Sequence, residues 1–309
     1  MNNTEPLISI ITVNYNGLDM TLDLLKSIDN QSYKNLEIFV VDNASKEDPT
    51  LFFQKNHPTV KFIRSEKNLG FAGGNNLAVK EAKGDFLFFI NNDAEIPVDE
   101  GNPANGGEGC LQKLVALFNE KPKLGIVSPL LLYFNESKGS DKDLIQYAGT
   151  TRVDSVTARN KTLGEKEWDN GQFNTATETA YAHGAAMMIK REVVDNVGIM
   201  FEDFFLYYEE LDWCERIRKA GYEIYVEPRA RVYHKESASV QKISGLKTYY
   251  LNRNRIYFMR RNFGGINLIG FYLFLIFFTI PKNILTFILK SETDQIKHFM
   301  KAIWWNVIN

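Results

Sequence analysis

The feature that most constrains the fold of this chain is an unbroken apolar run, FLFFI at residues 86–90, which polar residues follow at once. An apolar run of this length without alternation is typical of a strand that is buried on both faces, as in a parallel sheet. The chain continues with Asn91, Asn92 and Asp93. Because ligands of open α/β sheets bind outside the carboxyl ends of the strands, this polar cluster is predicted to lie at a ligand site.

Two earlier apolar runs have the same organisation. The runs at 7–13 and 36–41 end in the polar turns NYN (14–16) and DN (42–43), and a helical pattern follows the first of them. Repetition of strand, polar turn and helix predicts a doubly wound α/β sheet, in which parallel strands end at the same edge. We therefore expect the polar turns to share one site.

Asp93 is the first candidate for a metal ligand, because divalent cations such as Mg²⁺ bind carboxylate oxygens. The alternative is that residues 91–93 only make the turn after the strand, since Asn and Asp side chains bond to their own backbone. The segment by itself leaves both interpretations open.

A glycine-rich segment, NLGFAGGNN at 68–76, precedes a predicted helix. Glycines before a helix let backbone N–H groups approach a ligand closely, and the amino end of a helix favours anions such as phosphate. The spacing is neither that of the dinucleotide fingerprint G-x-G-x-x-G nor that of a phosphate-binding loop ending in Gly-Lys-Ser/Thr. A glycine-rich turn without a ligand is the alternative.

Three acidic residues, Glu209, Glu210 and Asp212, fall in the first turn of another predicted helix. The helix dipole stabilises carboxylates there without any catalysis. The aromatic segment at 204–208 offers a second interpretation, in which apolar walls raise the proton affinity of one carboxylate, as a general base requires. His234 directly follows the last predicted strand, where it has either a structural role or a role in binding metal or phosphate.

Composition excludes some classes of protein. A net charge of −2 with 24% charged residues gives no overall field for nucleic acid, so no nucleic-acid partner is expected. Cys110 and Cys214 lie far apart without metal-type spacing, and we expect buried free thiols. The first residues, MNNTEPLISIITV, have no basic region and an apolar run of only strand length, so no signal peptide is expected.

Seven segments, in sequence order, resemble the motifs of glycosyltransferase family 2, the inverting enzymes with a GT-A fold, and above all its bacterial rhamnosyltransferase-like members. The segments are ITVNYNG (11–17), VDNAS (41–45), NLGFAGGNN (68–76), INNDAEI (90–96), HGAAMMIKRE (183–192), FLYYEELDWCERI (205–217) and RVYHKES (231–237). The resemblance implies a Rossmann-like, mostly parallel central sheet flanked by helices. It places a GT-A nucleotide-sugar-binding and catalytic domain at 1–240, before a helical, partly hydrophobic segment at 241–309.

The resemblance also implies a role for each matched residue. Glu210 would be the catalytic base, and Asp93 and His234 would hold Mg²⁺ or Mn²⁺ at the diphosphate of a dTDP- or UDP-linked sugar. His183 and Gly184 would border the acceptor. The residues expected to bind substrate are Asn14, Tyr15, Asn16, Asp42, Asn68, Gly70, Gly73, Asn75, Asn92, His183, Gly184, Glu209 and Asp212.

Three features depart from the family pattern. The metal motif at 91–93 has one carboxylate where many relatives have two, which weakens the inference of metal dependence. Glu210 stands where aspartate is common, which moves the carboxylate by one methylene. The polar, glycine-rich loop at 98–109 matches no motif, and it is interpreted as a surface insertion, with an active-site lid as the alternative.

The composition changes beyond Val240. Basic and aromatic residues interleave at 247–261, and residues 262–281 carry no charge. An apolar helix flanked by basic residues is typical of attachment to an anionic cytosolic leaflet, here as an interfacial or re-entrant segment. A true membrane span and a soluble core or oligomer helix are the alternatives, so a homo-oligomer also stays open.

The sequence therefore predicts an inverting glycosyltransferase on the cytoplasmic side of the cell membrane. It would move a hexosyl or rhamnosyl group from a nucleoside-diphosphate donor to a glycan or lipid-linked acceptor in cell-surface polysaccharide synthesis. The alternatives are a sugar-phosphate nucleotidyltransferase, whose basic glycine-rich amino-terminal loop has no counterpart here, and a catalytically inactive GT-A scaffold.

Overall fold

A computed structural model describes residues 5–98, 109–137, 140–235 and 244–309. Apart from its two end residues, the predicted loop at 98–109 lies outside the described residues.

One mixed β-sheet forms the centre of the described structure. Its ten strands are β1 (Ile8–Asn14), β2 (Leu36–Asp42), β3 (Lys61–Arg64), β4 (Phe86–Ile90), β5 (Ala94–Glu95), β6 (Leu124–Tyr133), β7 (Ile145–Tyr147), β8 (Thr177–Glu178), β9 (Ala186–Lys190) and β10 (Glu223–His234). The order along the main path is β3-β2-β1-β4-β9-β6-β10-β5, while β7 pairs with β6 and β8 with β10.

Helices connect most of the strands and continue beyond the last one. They are α1 (Leu18–Asp29), α2 (Thr50–Asn56), α3 (Gly70–Val79), α4 (Cys110–Glu120), α5 (Phe134–Ser137), α6 (Arg191–Val197), α7 (Glu209–Lys219), α8 (Ser244–Asn262), α9 (Gly265–Phe274), α10 (Ile280–Leu289) and α11 (Thr293–Ile308). A 3₁₀ turn occupies Glu202–Phe204, and a π-helical turn at Leu275–Thr279 joins α9 to α10.

The apolar run at 86–90 is β4, and it is buried on both faces as predicted. Its alternate side chains enter two different cores: Phe88 packs with residues of α1 and α4, and Phe89 with residues of α3 and α7. Fully burying a side chain of this size stabilises the fold by about 1.5–3 kcal/mol. The lack of alternation in the sequence therefore reflects a strand between two layers of helices.

Strands β3, β2, β1 and β4 are parallel, so their carboxyl ends lie at one edge of the sheet. Asn14 and Asp42 are register partners at the last positions of β1 and β2, and the polar residues at 91–93 follow β4 at the same edge. The expected meeting of the polar turns is confirmed. Beyond β4 the sheet becomes mixed, because β9 follows the long irregular segment at 148–185 and enters antiparallel between β4 and β6.

The helix α8 packs against the sheet domain. Its side chains Asn254, Ile256, Phe258 and Met259 are buried, and α8 contacts both α7 and α11. The predicted boundary at 240/241 falls among residues outside the described ranges, and the division into domains stays a prediction.

A continuous helix over Gly265–Leu289 is the one helix of the described residues that is long and apolar enough to cross a membrane. It has 25 residues and a mean hydropathy of 1.8, and only 17% of its most apolar window is buried. Large apolar side chains such as Ile269, Phe277 and Phe278 are exposed on it. The predicted apolar appendage is thus a helix with an uncovered apolar surface.

Candidate active site

The side chains at the ends of β1 and β2 form a buried hydrogen-bonded group. The Nδ2 of Asn14 donates to Asp42 Oδ1 at 2.7 Å and to the Ser45 hydroxyl at 3.3 Å. Asp42 Oδ2 accepts from the Ser45 N–H at 3.1 Å and is ion-paired with Arg64. Because the Asp42 carboxylate is fully buried and has these partners, its evident role is to fix the turns of the site.

The turn after β1 exposes two predicted substrate-binding residues, Tyr15 and Asn16, to solvent. Tyr15 is exposed, so its ring is available to stack on a base. Asn16 has a left-handed backbone with a φ of 55°, its N–H donates to Ser45 Oγ at 2.8 Å, and its Oδ1 accepts from Lys46 N–H at 2.9 Å. The side chain of Asn16 therefore ties the first turn to the second.

The glycine-rich segment docks on the loop that precedes α7. Gly70 has a φ of 72°, and a Cβ there would lie 2.0 Å from the carbonyl oxygen of Phe205, so only glycine fits. The next N–H, that of Phe71, donates to the same oxygen at 2.7 Å. Asn68 Oδ1 accepts from the Gly70 N–H at 2.8 Å, which orders the start of α3.

Gly73 and Asn75 lie inside α3 and are buried. A Cβ at Gly73 would approach the Leu69 Cβ to 2.7 Å, and the Asn75 amide donates to the Phe71 carbonyl at 2.9 Å. Both residues shape the helix: Leu69 leaves no room for a Cβ at Gly73, and the Asn75 amide bonds within α3.

Asp93 and His234 meet at the end of β10. The short strand β5 pairs antiparallel with β10 so that His234 lies opposite Ala94, the neighbour of Asp93. His234 Nε2 is 3.1 Å from Asp93 Oδ1, and both side chains are almost completely buried. The nearby Asn92 turns to α1, where its amide donates to Thr21 Oγ1 at 3.2 Å.

The donor set of this pair fits a divalent cation. His234 Nδ1 is 2.9 Å from Gln146 Oε1, which can only accept, so Nδ1 donates this hydrogen bond and Nε2 is the ring atom that faces Asp93. Two ligand atoms at right angles, each about 2.1 Å from Mg²⁺ or Mn²⁺, are about 3 Å apart, as these two atoms are. In the described part of the chain no group of three or more His, Cys, Asp or Glu side chains could hold a metal, so phosphate oxygens and water would complete the shell.

Glu209 and Glu210 open α7 with carboxyl groups removed from water. Burial raises the pKa of Glu210 to about 7, and burial followed by the charge of Glu210 raises the pKa of Glu209 well above its usual range. The Oε2 atoms of both residues are buried and have no hydrogen-bond partner among the described residues. A carboxylate with a pKa near neutrality and an unoccupied oxygen matches the requirement for a general base.

His183 is held neutral beside this pair. Burial, and then the charge of His234, lowers the pKa of His183 to about 3. Its Nδ1 accepts from the Ala185 N–H at 3.1 Å, so its proton is on Nε2, which can donate to a ligand.

Five of the candidate residues form one cluster: Asp93, His183, Gly184, Glu210 and His234. The rings of His183 and His234 are 6.4 Å apart between centroids. At Gly184, the next residue, a Cβ would lie 3.8 Å from Glu210 Cγ, so Gly184 packs directly against the proposed base. Glu210 and the Asp93–His234 pair thus flank the same two residues, His183 and Gly184.

The loop before Glu209 is strained. Phe205, Tyr207 and Tyr208 all have positive φ, at 63°, 70° and 75°, although none is glycine. Such conformations cost about 1–3 kcal/mol each and persist only where the surroundings impose them. The strain lies directly before the proposed base.

Asn254 of α8 holds this loop in place. Its fully buried Nδ2 donates to the carbonyls of Phe204, Leu206 and Tyr207 at 2.8, 2.7 and 2.8 Å. The neighbouring Arg253 also donates to the Phe204 carbonyl, at 2.8 Å. A helix outside the sheet therefore sets the geometry of the catalytic loop.

Asp212 takes part in a different group. Its carboxylate forms ion pairs with Arg216 at 3.1 Å and Arg261 at 2.9 Å and accepts from the Asn262 amide at 3.0 Å. The structure does not bring Asp212 together with Glu210 and His183, and its evident role is to join α7 to α8.

Sequence reasoning missed Arg64, Gln146 and Asn254. Arg64 is the last residue of β3 and belongs to no motif, Gln146 lies in a polar segment without periodicity, and Asn254 lies in the basic and aromatic stretch that we assigned to the membrane-associating segment. Of the three, only Arg64 could have been found from the sequence. A buried carboxylate such as Asp42 needs a compensating cation, and Arg64 ends the neighbouring strand.

Comparisons with known proteins show the family of the chain. The profile of Glycosyl transferase family 2 matches residues 9–198, which is more than half of the chain and includes Asp93 and His183. Glu210 and His234 lie beyond the matched range.

Several relatives have similar sequences. The low-salt glycan biosynthesis hexosyltransferase of Haloferax volcanii is 26% identical over 226 residues, which are 70% of this chain and 63% of that protein. The N-acetylglucosaminyl-diphospho-decaprenol L-rhamnosyltransferase of Mycobacterium tuberculosis is 23% identical over 252 residues, 75% of this chain and 77% of that protein. An uncharacterized protein of Sinorhizobium fredii is 28% identical over 243 residues, and the match covers 76% of this chain but only 25% of that protein.

Two solved structures have a similar fold. A mannosyltransferase of Pyrobaculum calidifontis, in complex with GDP-Man and Mn²⁺, matches with a TM-score of 0.56 at 16% identity over 99% of this chain and 88% of that chain. GalNAc-T7 with UDP, GalNAc and Mn²⁺ matches with a TM-score of 0.57 at 17% identity over 74% of this chain and 43% of that chain. The predicted GT-A fold is confirmed. By its profile match and by the order of its motifs, the chain belongs to glycosyl transferase family 2.

Proposed function

We propose that this chain is an inverting, metal-dependent glycosyltransferase that transfers a hexosyl or rhamnosyl group from a dTDP- or UDP-linked donor to a glycan or lipid-linked acceptor. The observation that carries the proposal is Glu210, a partly buried residue packed against Gly184, whose pKa is raised to about 7 and whose Oε2 is buried without a partner among the described residues. His183 connects this base to the Asp93–His234 pair.

The chemistry is a single displacement. Glu210 takes the proton of an acceptor hydroxyl, whose oxygen attacks the anomeric carbon from the side opposite the diphosphate. The bond from that carbon to the diphosphate oxygen breaks, and its electron pair leaves with the nucleoside diphosphate. Attack from the opposite side inverts the anomeric centre, so no covalent intermediate with the protein is needed.

Residues beside the base favour this role. A pKa near neutrality keeps a large fraction of Glu210 ionised at pH 7 while making it a much stronger base than an exposed glutamate. Burial, and then the charge of Glu210, raises the pKa of Glu209 well above its usual range, which favours the protonated form of Glu209 beside an ionised Glu210. The Nε2–H of neutral His183 is placed to orient a hydroxyl of the acceptor.

Asp93 and His234 would hold Mg²⁺ or Mn²⁺, with Gln146 fixing the imidazole through Nδ1. When bound, the cation supplies positive charge for the departing diphosphate. Mn²⁺ in both similar structures supports this choice of cofactor. The donor nucleotides in those structures differ, as do the sugars named for the relatives, so the dTDP- or UDP-linked donor is proposed from the family resemblance.

We place the enzyme at the cytoplasmic face of the cell membrane, in the synthesis of cell-surface polysaccharide. The exposed apolar side chains on the helix over Gly265–Leu289 support a peripheral or re-entrant attachment. The names of relatives in glycan synthesis, one with a lipid-linked substrate, support the acceptor class.

The decisive experiment measures release of nucleoside diphosphate from UDP- and dTDP-sugars with Mn²⁺. We expect turnover by the wild type and losses of about 10²–10⁴-fold in Glu210→Ala and Asp93→Ala. Glu192→Ala, which removes an exposed first-turn glutamate from α6, is the matched control. Full turnover in both site variants would refute the mechanism, and release of pyrophosphate from a nucleoside triphosphate and a sugar phosphate would indicate a nucleotidyltransferase instead.

A further inference from the structure

A surface cavity lies outside the cluster described above. It has a volume of about 370 Å³ and is lined by Ser140, Asp141, Lys142, Trp168 and Asn170. That volume is within the range of small-molecule sites, and the lining combines one aromatic ring with several hydrogen-bonding groups.

Trp168 is the notable side chain of this cavity, because it is 46% exposed although its backbone is firmly held. Its carbonyl accepts from Asn170 Nδ2 at 3.1 Å and from Gln172 Nε2 at 2.9 Å. It also forms an antiparallel bridge with Leu144. A large aromatic ring presented to solvent on an ordered backbone is already arranged for a ligand.

The strand that carries His234 also anchors the Trp168 loop. Arg231 forms ion pairs with Asp143 at 2.9 Å and with Asp169 at 2.5 Å. The Tyr233 hydroxyl donates to Asp143 at 3.0 Å. The cavity is thereby fixed relative to the candidate active site.

The position of the cavity is on the acceptor side. Trp168 forms a bridge with Leu144, and Gln146, two residues after Leu144, contacts His234. Two residues of a strand span about 7 Å, so Leu144 and Gln146 are separated by about that distance. The predicted nucleotide-binding turns lie at β1 and β2, on the other half of the sheet. The Asp93–His234 pair is therefore between the nucleotide side and the cavity.

We propose that this cavity is a carbohydrate subsite that binds a neutral pyranose unit of the acceptor, at a distance from the hydroxyl that reacts. This inference rests on the proposed function. The apolar C–H face of a pyranose packs on the Trp168 ring, whose face carries negative partial charge. Asp141 accepts from sugar hydroxyls, and Lys142 and Asn170, which are hydrogen-bonded to each other, offer further donors.

The consequence for substrate choice is direct. An acceptor that fills the cavity while it reacts at Glu210 has to be an oligosaccharide or a glycan chain, because Glu210 does not line the cavity and is connected to Trp168 only through a series of residues that includes Gln146, His234 and His183. Monosaccharide acceptors should bind weakly, because each can occupy either the cavity at Trp168 or the position beside Glu210, but not both.

The test is saturation-transfer NMR on the full chain, with methyl β-D-glucopyranoside, methyl N-acetyl-β-D-glucosaminide and methyl α-L-rhamnopyranoside as probes. We expect transfer to at least one probe in the wild type, binding weakened by at least about fivefold in Trp168→Ala, and partial recovery in Trp168→Phe. Trp304→Ala is the matched control, because Trp304 is 62% exposed on α11, and it should bind like the wild type.

Nucleoside diphosphate release without acceptor is measured in the same samples, and Trp168→Ala should retain it. Release by the wild type together with no transfer to any probe, or with equal transfer in wild type and Trp168→Ala, overturns the subsite and leaves the proposed function standing. Absence of release in the wild type instead contradicts the proposed function.

Discussion

Asp93 Oδ1 and His234 Nε2 lie 3.1 Å apart at the end of β10, with the imidazole fixed from behind by Gln146. The sequence separates these two residues by most of the catalytic domain. The pairing of β5 with β10 brings them together.

Replacing Gln146 by leucine should weaken binding of Mn²⁺ about 10–100-fold, because the imidazole then loses the partner that holds its proton on Nδ1. Thermal stabilisation by Mn²⁺ with UDP measures the effect. Asp23→Asn, which changes an exposed carboxylate near the same end of β10, is the control. Equal stabilisation in Gln146→Leu and the wild type would contradict this arrangement.

The rate of transfer should rise with pH through about 7 and then level off. Burial raises the pKa of Glu210 to about that value, and only the ionised carboxylate can accept the proton of the acceptor. The pH dependence of kcat/KM for nucleoside diphosphate release measures it. In Glu210→Gln we expect the rate to be about 10²–10⁴-fold lower and this rise with pH to disappear. A wild-type profile that is flat between pH 5 and 9 would argue against Glu210 as the base.

The same residue should lower the stability of the protein at high pH. A carboxyl whose pKa is raised on folding holds its proton more tightly in the folded state, so its contribution to the free energy of unfolding falls as pH rises from about 4.5 through about 7. Glu210→Gln removes this penalty. Its Tm should exceed that of the wild type at pH 8 by more than at pH 5, as differential scanning calorimetry can measure.

Glu192→Gln is the control for that comparison, because it alters an exposed glutamate in the first turn of α6. Its Tm difference from the wild type should be small at both pH values. The prediction is wrong if Glu210→Gln is no more stabilised at pH 8 than Glu192→Gln.

Asn254→Ala should lower kcat while leaving the affinity for donor almost unchanged. The variant loses the donor that satisfies three carbonyls of the loop before Glu209, so the positive-φ residues Phe205 to Tyr208 can relax and move the base. Unsatisfied carbonyls should also reduce the free energy of unfolding by about 1–3 kcal/mol. Asn252→Ala, which removes an amide bonded only within α8, is the matched control.

For Asn254, the split between kcat and donor affinity separates a positioning role from general destabilisation. Urea unfolding and steady-state kinetics at a temperature well below Tm supply both quantities. A variant with a lower Tm and unchanged kcat would contradict the role of Asn254 in placing the base.

Replacing Phe277 and Phe278 together by serine should reduce binding of the full chain to vesicles that contain phosphatidylglycerol. Both rings are exposed on the helix over Gly265–Leu289, and burial of apolar side chains in the interface would drive attachment. Leu51→Ser removes an exposed apolar side chain from α2 and serves as control. Equal cosedimentation of all three proteins would exclude attachment through this face.

The strands of the nucleotide-binding half could be predicted because local patterns determine them. The run at 86–90 is buried on both faces, and the register of Asn14 with Asp42 follows from parallel pairing. The meeting of Asp93 with His234 was predicted only through the family resemblance, and the contact of Glu210 with Gly184 was not predicted, since no local pattern encodes contacts between distant segments.

Other contacts could not be predicted. Gln146 lies in the short strand β7, within a polar stretch of sequence without clear periodicity, and contacts a residue 88 positions later. Asn254 acts on a loop about 50 positions earlier. Asp212 shows the opposite case. Its place in the motif suggested substrate binding, but the structure surrounds its carboxylate with Arg216, Arg261 and Asn262.

The contact between α8 and the catalytic loop also limits how the protein can be shortened. A truncation made for solubility that stops after β10 would remove Asn254 and Arg253. The polar turns after β1 and β2 would remain, but the loop before Glu210 would lose the hydrogen bonds that hold it in place. A version that retains residues through Asn262 keeps both side chains. The last helix, α11, also supports them, because the Asn306 amide donates to the Arg253 carbonyl at 3.0 Å.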